Sequence, residues 1–316
     1  MNKIKAFTMA ELLIAMTIIA VLTVLIIPTI HDKISKKQWE LHKKALYSRM
    51  VQAMAMMPKV TGYGEYTVTK DENDSDVVTD TAAMAFLTEG LSKHLAMNNI
   101  CGNTTAELKK CGLPENIHTI LTVKTIPFPK KLSDLNPAFA TSYDNYSPVN
   151  SGMAAFETIN GDSVAVYYNP YCQAYNGKSQ TGRAQNNLCA NFIYDLNGLK
   201  GPNEVGKDIG AFSLVMRDGF ELWNMPEPKY FNGYVRYNSI DTCNAQNLRA
   251  TNIDEVHAAF YNYKLIGSPT TTVSVSMYSS SLSYSNGSNK YYLVLNFETG
   301  ARGITNFMGG ALCVKR

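Results

Sequence analysis

Residues whose types and spacing could do chemistry lie in two stretches of this chain. The first holds a single carboxylate, Glu11, inside an otherwise uncharged apolar run from Phe7 to Ile30. An ionised side chain is expensive in hydrocarbon, so a carboxylate in such a run marks function. What it can do there is pair with a cation, which offsets the desolvation of both charges. The second stretch runs Asp195-Leu196-Asn197-Gly198-Leu199-Lys200-Gly201-Pro202-Asn203-Glu204-Val205-Gly206-Lys207-Asp208. Asp195, Asn197, Asn203 and Asp208 supply oxygens able to hold a hard cation such as calcium. The same side chains can instead cap the loop's own backbone amides as Asx turns. Gly and Asn admit positive φ, and Pro202 sets one corner. The loop lacks the terminal Glu of an EF-hand.

Elsewhere the chemistry is sparse. The chain has no G-x-S-x-G, H-E-x-x-H, G-x-x-x-x-G-K-[ST] or G-x-G-x-x-G, the patterns that announce hydrolases, metalloproteases and nucleotide binders. Its five histidines, His31, His42, His94, His118 and His257, are scattered, with no pair at metal-ligand spacing. No enzymatic activity is expected. A net charge of +3 does not argue for nucleic acid. The six cysteines, Cys101, Cys111, Cys172, Cys189, Cys243 and Cys313, all follow the apolar run, and none forms a CxxC. An even number beyond an apolar anchor fits disulfides in an oxidising compartment. Neighbours in sequence suggest Cys101–Cys111 and Cys172–Cys189, leaving Cys243–Cys313, although spacing alone does not decide connectivity.

The apolar run reaches about 36 Å as a helix, against a hydrocarbon core of about 30 Å. A basic leader, residues 1–6 with Lys3 and Lys5, precedes it, and no small-x-small cleavage site follows it. The residues that could be cut stand before the run: Lys5-Ala6-Phe7-Thr8-Met9-Ala10-Glu11. This segment resembles the type III signal of type IV pilins and type II secretion pseudopilins. Phe7, Thr8, Glu11 and Pro28 fit; Ala6 stands for the usual Gly, and Met9-Ala10 for a Leu-Ile pair. The Asp195–Asp208 stretch is similar to a D-x-N-G-x-K-G-P-N-x-x-G-x-D loop found in many pilin-like proteins.

The resemblance implies cleavage between Ala6 and Phe7 by prepilin peptidase and methylation of the new Phe7 amine. It implies an assembly role for Phe7 and Glu11, with the Glu11 of one subunit neutralising the Phe7 amine of its neighbour. Other pilin subunits in a helical filament and an inner-membrane assembly platform would be partners. The function implied is a structural subunit of a type IV pilus or a type II secretion pseudopilus. It would sit first in the inner membrane as a single-pass protein with its head outside the cytoplasm, then in the filament. The alternative is a minor tip pilin whose head binds a surface or DNA, which a slightly basic body with 19 Tyr permits. A signal-anchored surface enzyme ranks third. The lysines disagree with this orientation: Lys33, Lys36, Lys37, Lys43 and Lys44 follow the run and outnumber Lys3 and Lys5, which by the positive-inside rule favours a cytoplasmic body. The motif and the cysteines favour the opposite side.

The elements that must position these residues form an α+β protein. A long N-terminal helix, membrane-spanning in its first half and amphipathic in its second, packs on a mostly antiparallel, disulfide-tied head. The expected parts are leader 1–6, transmembrane and assembly helix 7–30, stem helix 31–58 and head 59–316. Pro28 removes a helical hydrogen bond, so a bend is expected there. Trp39, Lys43, Leu46, Met50, Met54 and Met57 recur at three- and four-residue steps as a packing stripe. An acidic loop covers 62–80, and a second helix is expected over 82–97. Strands are expected at 118–126, 163–169, 191–196, 211–217, 219–223, 271–278 and 290–298, with turns at Asp218-Gly219 and Asn286-Gly287. A short helix is expected over 255–266, and the Ser-rich tract 274–288 reads largely as loop.

Overall fold

The computed structural model of the protein describes residues 9–57, 68–70, 76–78, 80–140, 152–170, 172, 187–216, 220–235, 239–267, 276–286, 289–297, 300, 302–305 and 309–316. Ala6, Phe7, most of the acidic loop and the turns at Asp218-Gly219 and Gly287 lie outside them. Of Glu11 and residues 22–35, Pro28 included, the backbone alone is described.

The chain divides into two compact units, Met1–Ala45 and Leu46–Arg316. Helix α1 (Met9–Met56) is continuous across Pro28, whose missing N–H leaves one helical hydrogen bond unmade. Its last turns belong to the second unit, where Leu46, Met50, Met54 and Met57 are buried. These are the apolar members of the expected stripe; Trp39 and Lys43, in the first unit, are half-buried.

Two six-stranded sheets build the head. The first has the order β10-β9-β8-β7-β6-β3, from β3 (Met97–Cys101), β6 (Met153–Thr158), β7 (Ser163–Tyr168), β8 (Leu188–Asp195), β9 (Ile209–Met216) and β10 (Phe220–Asn224). All its pairs are antiparallel. The second has the path β11-β16-β13-β14-β15, with β12 also on β16: β11 (Pro228–Val235), β12 (Arg249–Ala250), β13 (Ser276–Asn286), β14 (Asn289–Asn296), β15 (Arg302–Thr305) and β16 (Gly309–Val314). Its β13–β16 pair is parallel. Two small hairpins complete the strands: β1 (Val68–Lys70) with β2 (Asp76–Val78), and β4 (Asn116–His118) with β5 (Thr125–Pro127). The short helices are α2 (Asp80–Ala85), α3 (Thr105–Lys110), α4 (Leu132–Leu135), α5 (Ser239–Ala245), α6 (Ile253–Tyr261) and α7 (Tyr263–Ile266).

Both faces of the first sheet are covered. Ala165, Tyr167, Ile193, Ala211 and Val215 share one core with Leu132, Phe260 and Leu265 of α4, α6 and α7. Their strand neighbours Val166, Tyr168, Phe192, Tyr194 and Phe212 are also buried, and the two-residue period of a strand turns them to the opposite face. There Phe86 stacks on Tyr168 with centroids 4.8 Å apart, and Tyr47 of α1 meets Phe212 at 5.4 Å. Bridges Cys101–Cys111, Cys172–Cys189 and Cys243–Cys313 tie β3 to the end of α3, the 172 region to β8, and α5 to β16.

Several expectations require correction. The helix over 82–97 ends early: α2 passes into a π turn, Phe86–Gly90, and a 3-10 turn, Leu91–Lys93. Met97–Cys101 is then an edge strand paired with β6. The strand expected over 118–126 is the β4–β5 hairpin. The helix expected over 255–266 is two helices, with Asn262 at the break. The Ser-rich tract is largely strand β13.

Candidate functional site

Residues Met9 to Val21 of α1 form a helix that is apolar and exposed on every side described. Met9 is 83% exposed, and Leu12, Leu13, Ile14, Met16, Ile18, Ile19 and Val21 are all more than half exposed. An all-round apolar helix is stable only inside a core or a lipid phase. Its hydroxyl is shielded from that demand, since Thr17 Oγ1 donates to the Ile14 carbonyl at 2.8 Å. Glu11 sits within this helix. Among the described residues no helix is long and apolar enough to cross a membrane; the side chains of 22–35, which include the rest of the apolar run up to Ile30, lie outside them.

The Asp195–Asp208 loop joins β8 to β9, and antiparallel pairing holds its ends together, with Asp195 opposite Ile209. The Leu196 N–H donates to the Asp208 carbonyl at 3.0 Å. Asp208 works as a double cap: Oδ2 accepts from the Asn203 N–H and Oδ1 from the Glu204 N–H, both at 2.8 Å. Asp195 Oδ1 accepts from the Asn197 N–H at 3.0 Å, and Asn197 Nδ2 donates to the Gly201 carbonyl at 3.1 Å. Asn203 holds a positive φ of 52°, following a cis Gly201-Pro202 bond. Segment 116–120 clamps the outside of the loop. His118 N–H donates to the Asn203 carbonyl, and the Val205 N–H donates to the His118 carbonyl, each at 2.9 Å.

The Asx-turn reading therefore describes Asp208 well and Asp195 in part. Three oxygens of the loop are buried and have no hydrogen-bond partner among the described residues: Asp195 Oδ2, Asn197 Oδ1 and Asn203 Oδ1. Burial pushes the Asp195 carboxyl up to about 8, the charge of Asp208 adds to this, and the amides of Asn197 and Gly198 oppose it. Among the described residues no group of three or more His, Cys, Asp or Glu side chains comes together; this loop mixes two carboxylates with two carboxamides.

Sequence reasoning missed two contacts that join the end of α1 to the first sheet of the second unit. Arg49 Nη2 of α1 donates to Asp162 Oδ2 at 2.8 Å, and Tyr47 of α1 donates its hydroxyl to the Leu222 carbonyl at 2.8 Å. Asp162 lies in the β6–β7 turn, where a lone Asp before a strand gives no sign of a partner far away in sequence.

Residues 1–27 match the prokaryotic N-terminal methylation motif. That motif is the signature of type IV pilins and pseudopilins. It takes in the basic leader, Ala6, Phe7 and Glu11. Comparison with curated proteins and with solved structures finds no match.

Proposed function

We propose that this chain is a non-enzymatic structural subunit of a type IV pilus or a type II secretion pseudopilus. Prepilin peptidase cuts between Ala6 and Phe7, and the new Phe7 amine is methylated. Residues 7–30 first anchor the subunit in the inner membrane with its head outside the cytoplasm, and then enter the helical core of the filament. The methylation motif over residues 1–27 carries this reading. The exposed apolar surface from Met9 to Val21 supports it, because that surface needs lipid or neighbouring helices to cover it.

Within the filament the Glu11 carboxylate of one subunit meets the Phe7 amine of the next. Each charge alone is costly in hydrocarbon, so pairing selects a single axial step between subunits. Ala15, Thr17, Ala20 and Thr23 are small enough to let helices approach closely. Mass spectrometry of the membrane-purified protein tests the processing step, with a chain beginning at N-methyl-Phe7 as the expected result. An intact Met1 on the mature, membrane-bound protein refutes it. Glu11→Leu is expected to leave cleavage intact and abolish recovery of the subunit in sheared or cross-linked filaments.

A further inference from the structure

We propose that the stem of α1 just past the apolar run docks on anionic phospholipid headgroups through Lys33, Lys36 and Lys37. The inference rests on the reading that residues 7–30 lie in a membrane before assembly. Residues 31–44 carry five lysines, Lys33, Lys36, Lys37, Lys43 and Lys44, against Asp32 and Glu40. That excess of three positive charges equals the net charge of the whole chain. Taking those five from 29 basic residues and those two from 26 acidic ones leaves 24 of each, so the rest of the chain balances. Loss of the leader, with Lys3 and Lys5, makes the rest of the mature subunit slightly acidic. A basic charge so concentrated, directly beyond an apolar run, is the pattern that binds anionic lipid surfaces.

The helix backbone puts these lysines where that surface would be. Helix α1 is continuous from Met9 to Met56. At about 100° per residue, Lys33, Lys36 and Lys37 fall within about 100° of arc, and Lys44 returns to the same arc two turns later. Rising about 1.5 Å per residue, they stand about 5–11 Å beyond Ile30, against a headgroup layer about 5–7 Å deep. The Cα–Cβ bonds of a helix tilt toward its N-terminus, so side chains that follow a span lean back toward the bilayer. Long lysine stems then carry the ammonium to the phosphates. Lys36 and Lys37 are exposed, and neither enters the ion pairs found among the described residues. Lysines of the head behave differently: Lys109 pairs with Glu115 at 3.4 Å and Lys207 with Glu204 at 2.6 Å. Glu40 shares the lysine face but stands one turn further from the membrane. Lysines beyond a span disfavour export; anionic headgroups on the far side give them a partner there and fix the depth of the anchor.

The test uses the full chain in dodecyl maltoside with equimolar phosphatidylglycerol and phosphatidylcholine. Gel filtration isolates the protein, and mass spectrometry counts the two lipids in its peak. Each lysine near an anionic surface contributes about a fivefold preference, so phosphatidylglycerol is expected to exceed phosphatidylcholine there by about threefold or more. Salt at about 1 M, where charges are screened within about 3 Å, should erase the preference. Lys33→Gln with Lys36→Gln and Lys37→Gln should bring the ratio near one, and glutamine keeps the helix. Lys93→Gln with Lys110→Gln and Lys124→Gln removes three exposed lysines of the head and should leave the ratio unchanged. Equal amounts of the two lipids on the unchanged chain overturn the docking, as does a preference that survives the stem variant or is lost in the head variant. A dimer in place of the lipid preference, lost with the same three stem lysines, also overturns it and assigns the face to a second copy. Retention of neither lipid refutes the membrane reading itself, and the docking falls with it.

Discussion

Arg49→Met tests whether an ion pair fastens the end of α1 to the head. Asp162 is fully buried and its partner Arg49 is 28% exposed, with 2.8 Å between Nη2 and Oδ2. Removing one member of a buried pair leaves a desolvated charge, at a cost of about 3–5 kcal/mol. Two features put this case at the low end of that range. Arg49 keeps some water contact, and the Thr158 hydroxyl still donates to Asp162 Oδ2 at 2.7 Å after the change. Methionine preserves most of the apolar stem, so packing is nearly unchanged. The expected loss is about 3 kcal/mol, or about 6–12 °C in melting temperature for a unit of this size. Thermal and urea melts of the detergent-solubilised chain measure it. Adding Asp162→Asn removes the stranded charge and should recover about half the loss, so the coupling in a double-mutant cycle is about 1.5 kcal/mol plus the loss that Asp162→Asn causes alone. A loss under about 0.5 kcal/mol, or additive single changes, refutes the argument that this pair fastens α1.

Three further outcomes follow from the head. Cys243→Ser with Cys313→Ser opens a bridge spanning 70 residues and should cost about 4 kcal/mol, against about 3 kcal/mol for the bridge of separation 10 between Cys101 and Cys111; melts of the two double variants should keep that order. Gly210→Ala places a Cβ against the ring and hydroxyl of Tyr194 and should cost about 2 kcal/mol as overpacking, read by the same melts. Glu255 caps α6 through the Asn252 N–H and pairs with Arg249 at 2.7 Å; burial pushes its carboxyl up, but the Arg249 and Asn252 bonds outweigh it and hold the carboxyl below its ordinary 4.5. A depressed carboxyl adds stability that is complete above the ordinary value and fades as pH falls through the folded one. The gap of about 1 kcal/mol between the protein and Glu255→Gln at neutral pH should therefore close in acid.

Much of the secondary structure was legible, and its misses share a cause. Strand β7 was expected nearly where it lies, and α1 could be followed because Leu46, Met50, Met54 and Met57 keep a helical step against one surface. Strand β6, Met-Ala-Ala-Phe-Glu-Thr, was passed over because both faces of its sheet are covered. Such a strand has no polar face, so no alternation announces it. The helix expected over 82–97 failed at Gly90, where the π and 3-10 turns re-aim the chain and release Met97–Cys101 to pair with β6. Tertiary contact, from Phe86 stacking on Tyr168, overrides local periodicity there. In the Ser-rich tract, strand pairing to β14 and β16 overrides weak strand propensity.

The two stretches that could do chemistry differ in how they are read. The N-terminal segment is linear: a leader, a cut site, a carboxylate and an apolar run act through their order and length, so residues 1–27 declare themselves without a fold. The Asp195–Asp208 loop is not linear. Asp195 and Asp208 are the same side chain in the same loop, and sequence assigns both the same two possible roles. Folding divides those roles. The turn at Asn203-Glu204 points two amides at Asp208 and consumes both its oxygens, while the Asn197 amide reaches Asp195 Oδ1 and Oδ2 has no hydrogen-bond partner among the described residues. The Asn197 and Asn203 side-chain oxygens share that condition. Which oxygens remain available to a cation is therefore decided by where backbone donors point, and composition carries no record of that.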